Sequence, residues 1–336
     1  MLKTQLASVI HRFGTSTQKV LVVGDLTLDE FVTGAVERLS REAPVVIVRH
    51  EQTRQVPGGA ANALENLASL GVQTIAVGVL GKDRQAEALR GLLEARGVIT
   101  SALVVDDQRP TVTKTRIAAH ARQSVTQQIV RIDRKSDAPL DPAIEAQLLD
   151  HIRTWLPEVA VVVCSDYMEG VLTPAVIALC LEHPYVIVDT HLQLDRYQGA
   201  ALFTPNVPEA ELAAGFAITD PGSLQRAGAE LLRQTRARQV LITRGELGMS
   251  LFLATGEQYD IPAFNRTQVF DVTGAGDTVV AGWTAAHLSG GTPQAAAILG
   301  NLAASIVVRR FGTSSTTPAE LLEHLEQLTW TPDWML

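Results

Sequence analysis

The stretch "VAVVVCSD", residues 159–166, decides the fold class of this chain. It is a continuous β-branched run without alternating polar residues, and it ends in a serine and an aspartate. Such runs are typical of strands that are buried on both faces of a parallel sheet. Five more runs share this pattern and reach a polar residue near their carboxyl ends: "VLVVGD" (20–25), "TIAVGVLGKD" (74–83), "YVIVD" (185–189), "LFTPN" (202–206) and "VLITRG" (240–245).

Helical patterns separate these runs, because apolar residues recur there at helical spacing. Alternating strands and helices predict an α/β fold with a doubly wound, mostly parallel sheet. In such sheets ligands bind beyond the carboxyl ends of the strands, which is where the polar residues fall. The helical patterns cover residues 59–70, 84–96, 141–155, 173–182, 222–236, 293–309 and 318–328.

Two stretches, residues 33–56 and 111–133, have strand character but contain no crossover helix. We interpret them as a small antiparallel β lid attached to the main sheet, and a plain edge of the main sheet is the alternative. No internal repeat or low-complexity linker interrupts the chain. Residues 1–336 are therefore predicted to form a single domain with the two lid segments inserted within it.

The composition excludes several classes of function. A net charge of −8 and a pI of about 5.5 argue against a nucleic-acid binder, which needs a basic face. Cys164 and Cys180 lie in apolar segments without metal-ligand spacing, so we expect buried free thiols. Residues 1–19 lack the apolar core of a signal peptide, and no segment approaches the ~18 apolar residues of a membrane span. These features predict a cytoplasmic protein that binds no membrane.

The stretch "DVTGAGDTVV", residues 271–280, leads into a helix through small residues. Unpaired N–H groups of a first helical turn, together with the helix dipole, form an anion site, and glycines let a phosphate approach closely. Asp277 would repel that phosphate unless it is a base that takes a proton from an attacking hydroxyl. The alternative is a glycine turn in which Asp277 is only a first-turn charge. Val279 stands where a dinucleotide fingerprint needs glycine, which disfavours a redox enzyme.

A second motif, "PGGAANALENLASLG", covers residues 57–71. Gly58 and Gly59 allow a tight backbone turn, and Asn62 follows one helical turn into the next helix. Backbone groups and an amide at a helix start suit a polyol such as a sugar. A glycine-rich loop with Asn62 as a capping residue is the alternative.

These two motifs resemble the two signatures of the PfkB/ribokinase-like sugar kinases, in the same order and about 210 residues apart. The resemblance covers residues 19–328 and implies a ribokinase-like fold and ATP-dependent phosphoryl transfer, with Mg²⁺, to a hydroxyl of a small-molecule sugar substrate. Shorter pieces also resemble this family: "GDLTLD" (24–29), "GKD" (81–83), "TPNVPE" (204–209), "TRGELG" (243–248) and "NLAAS" (301–305).

Four stretches most resemble the heptose 7-phosphate kinases of ADP-heptose synthesis within this family: "GDLTLDEFVTG", "LSREAPVVIV", "CSDYMEGVLT" and "RYQGAALFTPN". That resemblance implies the anomeric hydroxyl of D-glycero-D-manno-heptose 7-phosphate as the acceptor. No nucleotidyltransferase region follows, so the stand-alone kinase type is expected. A kinase for another sugar or sugar phosphate and a non-catalytic sugar- or nucleotide-binding protein are the alternatives, and the intact run 274–277 argues against the latter.

The resemblance also implies roles for individual residues. Asp277 would be the catalytic base, and the N–H groups of Gly274, Ala275 and Gly276 would form the anion hole. Sugar hydroxyls would be bound by Asp25, Gly58, Gly59, Asn62 and Asp166. The nucleotide cleft would be lined by Asn206, Glu209, Thr243, Gly245, Gly248 and Asn301.

The resemblance implies ion sites and an assembly as well. Asn206 and Glu209 match the N-x-x-E motif that organises Mg²⁺ and phosphates through water. Asp271 and Thr273, with the "GTSS" stretch at 312–315, match the region where many family members hold K⁺. The antiparallel lid would cover the sugar and form a homodimer.

Two positions depart from the pattern of the heptose 7-phosphate kinases. Glu169 stands where they often carry lysine, and "DTHL" (189–192) replaces their "DPKG". Both changes remove positive charge that a substrate phosphate would need. Cations of the lid would supply this positive charge instead, and the alternative is that they are solvated surface residues. These cations are Lys114, Arg122 and Arg131.

Overall fold

The computed structural model describes residues 2–120, 126–265 and 269–328. Its strands form two separate sheets. In chain order the strands are β1 (Lys19–Gly24), β2 (Leu26–Leu39), β3 (Val46–Gly59), β4 (Gln73–Gly81), β5 (Leu103–Asp106), β6 (Thr113–His120), β7 (Gln127–Arg134), β8 (Val159–Asp166), β9 (Val186–Thr190), β10 (Leu202–Phe203), β11 (Gln239–Thr243), β12 (Met249–Leu253) and β13 (Gln258–Ile261).

The main sheet has nine strands in the order β13-β12-β11-β10-β9-β8-β1-β4-β5. The pairs from β11 to β5 are parallel, whereas β12 and β13 add an antiparallel edge. Chain order reverses between β8 and β1, and at such switch points the loops diverge and open a crevice. The predicted doubly wound, mostly parallel sheet is confirmed.

The predicted helical patterns coincide with helices to within two residues at each end. Two helices were not predicted: α1, and α6, which begins directly after Asn206. The helices are α1 (Leu2–Ile10), α2 (Ala60–Ser69), α3 (Arg84–Glu94), α4 (Pro142–Trp155), α5 (Pro174–Cys180), α6 (Val207–Ala214), α7 (Pro221–Thr235), α8 (Ala275–Leu288), α9 (Pro293–Val307) and α10 (Pro318–Gln327).

The main sheet is buried on both faces, as its continuous apolar runs predicted. Side chains of successive strand residues point to opposite faces. In β1, Val20 and Val22 therefore pack with the layer that contains α2, α8 and α9. Leu21 and Val23 pack with the opposite layer, which contains α4, α5 and α7.

The small sheet has the order β3-β2-β6-β7 and forms the lid. Its outer pairs are antiparallel, but the central pair β2–β6 is parallel, because both strands run away from the carboxyl edge of the main sheet. The lid strands also begin earlier than residue 33 and end later than residue 56. The reason is that β2 follows β1 after a single residue, and its base, from Leu26 to Asp29, is buried without the alternation expected of a lid strand.

Both cysteines are buried free thiols, as predicted. Cys164 lies on β8 and Cys180 on α5, in the layer of α4, α5 and α7. Within the described ranges, no helix combines the length and the apolar character that crossing a membrane requires.

Candidate active site

A cleft of ≈ 850 Å³ opens at the carboxyl edge of the main sheet. The ends of β9, β10 and β11 form its floor, and the first turns of α6, α7 and α8 face it. The cleft thus brings together several sequence-predicted residues that are far apart in the chain. Those lining it are Asn206, Glu209, Thr243, Gly245, Gly274, Ala275, Gly276 and Asp277.

Gly274 begins α8 in a conformation that only glycine adopts easily. Its φ is +77°, and a Cβ there would lie 2.4 Å from Asn62 Nδ2. At Gly276 the nearest neighbour of such a Cβ would be Asp189 Oδ2 at 3.8 Å, so the backbone is open to the cleft. The Ala275 N–H donates to the Val272 carbonyl (3.1 Å), so one donor of the expected anion hole has a partner in this structure.

Asp277 is buried at the inner end of the cleft, and both its oxygens accept hydrogen bonds. Asn62 Nδ2 donates to Oδ2 (2.7 Å), and the Tyr167 hydroxyl donates to Oδ1 (3.0 Å). Asn66 Nδ2 donates to Asn62 Oδ1 (3.1 Å), which fixes the orientation of the Asn62 amide. The capping alternative for Asn62 is wrong, because the N-cap of α2 is Gly59 and the Asn62 amide reaches Asp277 instead.

The electrostatics of the cleft favour a proton on Asp277. Burial, and then the nearby charge of Asp189, raise the pKa of Asp277 to about 7, although the Asn62 and Tyr167 donors oppose this. Burial, followed by the charge of Glu209, raises the pKa of Asp189 to about 6. A carboxylate whose pKa lies near neutrality can accept a proton and release it again, as a general base must.

Asn206 and Glu209 form the capping box of α6. The Glu209 N–H donates to Asn206 Oδ1 (3.0 Å), and the Asn206 N–H donates to Glu209 Oε2 (2.8 Å). Glu209 Oε1 also contacts His191 Nδ1 at 2.7 Å. Carboxylate oxygens suit Mg²⁺, which usually keeps several of its waters. Within the described part of the chain, no group of three acidic, histidine or cysteine side chains converges as a metal site would.

The nucleotide residues predicted from the sequence fall into two groups. Thr243 and Gly245 line the cleft, next to Arg244. Gly248 and Asn301 instead contact the segment after β13: a Cβ at Gly248 would lie 2.0 Å from the Ile261 carbonyl oxygen, and Asn301 Nδ2 donates to the Pro262 carbonyl (2.8 Å). Gly248 and Asn301 therefore pack against the end of β13 and are not among the residues that line the cleft.

Asp25 and Asp166 hold protein groups in this structure. Asp25 accepts the N–H groups of Tyr167, Glu169 and Val171 at 2.9, 3.0 and 3.0 Å. Burial nonetheless raises the pKa of Asp25 to about 6. Asp166 accepts the Tyr197 hydroxyl (2.7 Å), the Met168 N–H and Arg196. The geometry gives both carboxylates an anchoring position at the ends of β1 and β8.

A different aspartate lies beside Gly58 of the second motif. Asp29 is buried on β2, and its Oδ1 lies 2.7 Å from Arg116 Nη1. If Gly58 carried a Cβ atom, that atom would lie only 2.5 Å from Asp29 Oδ2. It is the second acid of "GDLTLD", so the sequence held a signal for it. Asp189, His191 and Tyr167 were also missed, although Asp189 ends one of the apolar runs.

The lid cations differ in how far they are already paired. Arg131 binds Asp133 through two contacts of 2.6 Å. Lys114 contacts the ring of Tyr167 instead, with Nζ 5.4 Å from the ring centroid. Arg122 lies outside the described residues. Of the two described cations, Lys114 is the one not bound to a carboxylate there.

The charge reversal at Glu169 is compensated from the segment after the lid. Lys135 Nζ lies 3.2 Å from Glu169 Oε2 and 3.1 Å from Asp137. The side chain of Glu169 is only 10% exposed, so this pairing reduces the cost of burying its charge. A lysine thus reaches this region from a different position than in the resembling kinases.

The segment predicted to hold K⁺ brings its two parts together. Asp271 Oδ1 accepts the Thr273 N–H (2.9 Å), and Oδ2 accepts the Gly312 N–H (2.9 Å). The loop before α8 therefore contacts the stretch 312–315, while the binding of K⁺ by Asp271 and Thr273 stays a prediction.

The sequence matches known proteins over most of its length. The profile of the pfkB family carbohydrate kinases matches residues 17–320. The chain is 43% identical over 314 residues to the bifunctional protein HldE of Trichlorobacter lovleyi, covering 91% of this chain and 62% of that protein. It is 41% identical over 329 residues to the bifunctional protein HldE of Pelobacter propionicus, covering 96% and 66%. The chain thus spans less than two thirds of the length of these relatives.

Solved structures share the fold at lower identity. Arabidopsis thaliana ribokinase complexed with ribose and ATP superposes with a TM-score of 0.73 and 20% identity, covering 93% of this chain and 99% of that chain. Phosphofructokinase-2 from Escherichia coli in complex with substrates and products gives a TM-score of 0.76 and 17% identity, covering 93% and 99%. The predicted ribokinase-like fold is confirmed.

Proposed function

Because the chain belongs to the pfkB family of carbohydrate kinases, we propose that it transfers a phosphoryl group from ATP to a hydroxyl group of a sugar. The observation that carries this proposal is the position of Asp277. It is buried at the first turn of α8, it is held by Asn62 from the other signature motif, and it faces a cleft large enough for a nucleotide.

In this mechanism Asp277 accepts the proton of the attacking sugar hydroxyl while the phosphoryl group moves to that oxygen. The first turn of α8 and its dipole stabilise the charge on the moving group. Glu209 and Asn206 would hold Mg²⁺ through water, and bound Mg²⁺ would supply positive charge to the nucleotide phosphates. Thr243 and Gly245 contact the nucleotide chiefly through backbone groups.

We propose D-glycero-D-manno-heptose 7-phosphate as the substrate, with its anomeric hydroxyl as the acceptor. The support is the resemblance of four stretches to heptose 7-phosphate kinases, together with relatives named bifunctional protein HldE. Lys114 would contact the substrate phosphate, because it is a lid cation that contacts the Tyr167 ring and is bound to no carboxylate among the described residues. Another sugar phosphate with a similar span is the second candidate.

An ATP-consumption screen over hexoses, heptoses and their phosphates tests the proposal. We expect the fastest turnover with the heptose 7-phosphate, and phosphorus-31 NMR of the product should show a second phosphate coupled to the anomeric proton. Calorimetry with a non-hydrolysable ATP analogue should detect binding. Binding of both ligands without turnover of any sugar would favour the non-catalytic alternative and overturn the kinase proposal.

A further inference from the structure

Tyr167 lies directly after β8, in a loop that the main sheet anchors. Its N–H donates to Asp25 Oδ2 (2.9 Å), and the N–H groups of Glu169 and Val171 donate to the same carboxylate. Asp25 follows β1, which pairs in parallel with β8. A buried carboxylate at the end of one strand therefore sets the backbone position of Tyr167 at the end of its neighbour.

The side chain of Tyr167 connects three further elements. Its ring meets His191, after β9, edge to face with a centroid distance of 4.9 Å. Lys114 Nζ, on the lid strand β6, lies 5.4 Å from the ring centroid. The hydroxyl donates to Asp277 Oδ1 on α8 at 3.0 Å. The contacts with His191 and Lys114 thus hold the ring while its hydroxyl reaches the proposed base.

Two donors serve the two oxygens of Asp277. Asn62 Nδ2 binds Oδ2 at 2.7 Å, and the Tyr167 hydroxyl binds Oδ1 at 3.0 Å. The terminal torsion of an aspartate is broad, so one donor alone leaves the carboxylate plane free to turn. Two donors fix that plane, and each oxygen keeps a further lone pair that can accept a proton.

We propose that Tyr167 is a positioning residue for the phosphoryl transfer, whose hydroxyl fixes the carboxylate plane of Asp277 and holds Asp277 ionised for the acceptor hydroxyl. This inference rests on the proposed function. Tyr167 belongs to the stretch "CSDYMEG", which lies outside both signature motifs.

The charges around the pair agree with this role. Burial, and then the charge of Asp189 on β9, raise the pKa of Asp277, whereas Asn62, Tyr167 and His191 lower it. Burial and the charges of Asp277, Asp189 and Asp29 raise the pKa of Tyr167 well above its usual value, so its hydroxyl stays a donor at working pH. Lys114 faces the ring from the lid.

Tyr167→Phe tests the inference, because it removes one hydroxyl and keeps the ring contacts with His191 and Lys114. We expect kcat/KM for the sugar to fall about tenfold or more, the loss typical of a hydrogen bond to a charged group. The acid limb of its pH profile should move to higher pH, and the Kd for an ATP analogue should not change. Tyr185→Phe, remote from the cleft, is the matched control. A pH profile that stays in place, with or without slower turnover, would overturn the inference.

A second measurement does not depend on turnover. Carbon-13 NMR titration of the Asp277 carboxyl, assigned by its loss in Asp277→Asn, should give a higher pKa in Tyr167→Phe than in the unmodified protein. If the unmodified protein phosphorylates no sugar, the proposed function fails by itself, and this titration still decides whether the hydroxyl supports the ionised carboxylate. An unchanged pKa would overturn that contact.

Discussion

Asp277 combines burial with two hydrogen-bond donors, and these act on its charge in opposite directions. Removal from water and the charge of Asp189 disfavour the carboxylate, while Asn62 and Tyr167 favour it. The balance leaves a pKa of about 7, where the group is both basic enough to accept a proton and ionised enough to do so. An aspartate with the same donors in solvent would be ionised but far less basic.

Asp277→Asn keeps the shape of this side chain and removes its basicity. We expect kcat to fall at least ~100-fold, with the affinities for ATP and sugar within a few-fold of normal. Steady-state kinetics and calorimetry measure the two quantities, and Asp150→Asn, an exposed substitution on α4, controls for the amide change. Near-normal turnover of Asp277→Asn together with loss of activity in Asp271→Asn would assign the base to Asp271.

Lys114 and Arg131 differ in pairing, and this predicts different effects on a phosphorylated substrate. Lys114→Ala should raise KM for a sugar phosphate much more than for the unphosphorylated sugar, because Lys114 is not held by a carboxylate in the described structure. Arg131→Ala should have the smaller effect, since Asp133 already binds the guanidinium. Equal effects of Lys114→Ala on both substrates would mean that Lys114 only shapes the lid.

The sequence predicted the site residues that lie in contiguous motifs and missed those that tertiary structure supplies. Asp277 and Asn62 stand beside glycines at helix starts, a local pattern with a physical meaning. Tyr167 and His191 come from loops after β8 and β9, and nothing in their local sequence indicates that these loops meet at α8. The sequence placed Asp25 correctly at the carboxyl edge of the main sheet. It could not show that Asp25 accepts backbone N–H groups, because those contacts depend on the path of the loop 167–171.

The helices α2 and α8 form one unit at the active site. Thr278 Oγ1 donates to Asn66 Oδ1 (3.0 Å), and Asn62 reaches Asp277, so polar contacts join the start of α8 to the first two turns of α2. Gly274 allows this close approach. The two signature motifs therefore begin helices that contact each other directly.

Gly274→Ala should displace the Asn62 amide from Asp277. The added Cβ would lie 2.4 Å from Asn62 Nδ2, so the amide must leave Asp277 and turnover should fall at least ~100-fold. Gly290→Ala is the matched control, because Gly290 also has a positive φ (+73°) but no atom within 4 Å of the added Cβ. Both variants pay about 1 kcal/mol or more of backbone strain, measurable by thermal unfolding. Equal activities would contradict the role of Gly274.

Helix α6 shows why some elements escaped prediction. The motif N-x-x-E at 206–209 was assigned to nucleotide binding, yet it is also the capping box that starts a helix. The helix has only eight residues and one buried side chain, so it lacks an apolar period. The edge strands β12 and β13 were not predicted either. They form an antiparallel hairpin that lies outside the alternation of strands and helices on which the prediction depended.

The lid carries apolar side chains on the face turned away from the site. Asp29, Lys114 and Arg116 lie on its inner face, and alternation places Val32, Ile117 and Val130 on the outer one, paired across three strands. Val130, on the edge strand β7, is 44% exposed. We propose that a second copy of the chain covers this face, as the expected lid homodimer requires.

Val130→Asp should dissociate that dimer, because it would bury a charge within the proposed interface. Sedimentation velocity should show a dimer for the unmodified protein and a monomer for the variant. Val105→Asp, which changes an equally exposed valine on β5 of the main sheet, should stay dimeric. A monomeric unmodified protein at micromolar concentrations would contradict the proposal.

The burial of Asp277 also has a consequence for the resistance of the protein to unfolding. Its pKa rises from 3.8 to about 7 on folding, so the folded state binds the proton more tightly and the unfolding free energy falls as pH rises between these values. We expect Asp277→Asn to gain stability relative to the unmodified protein at pH 8, by up to about 4 kcal/mol, and much less at pH 4.5. Guanidinium unfolding at both pH values measures this, and an equal difference at both would contradict it. The proton that Asp277 binds in mild acid would thus stabilise the folded state while it removes the base, so this one carboxyl group sets stability against activity.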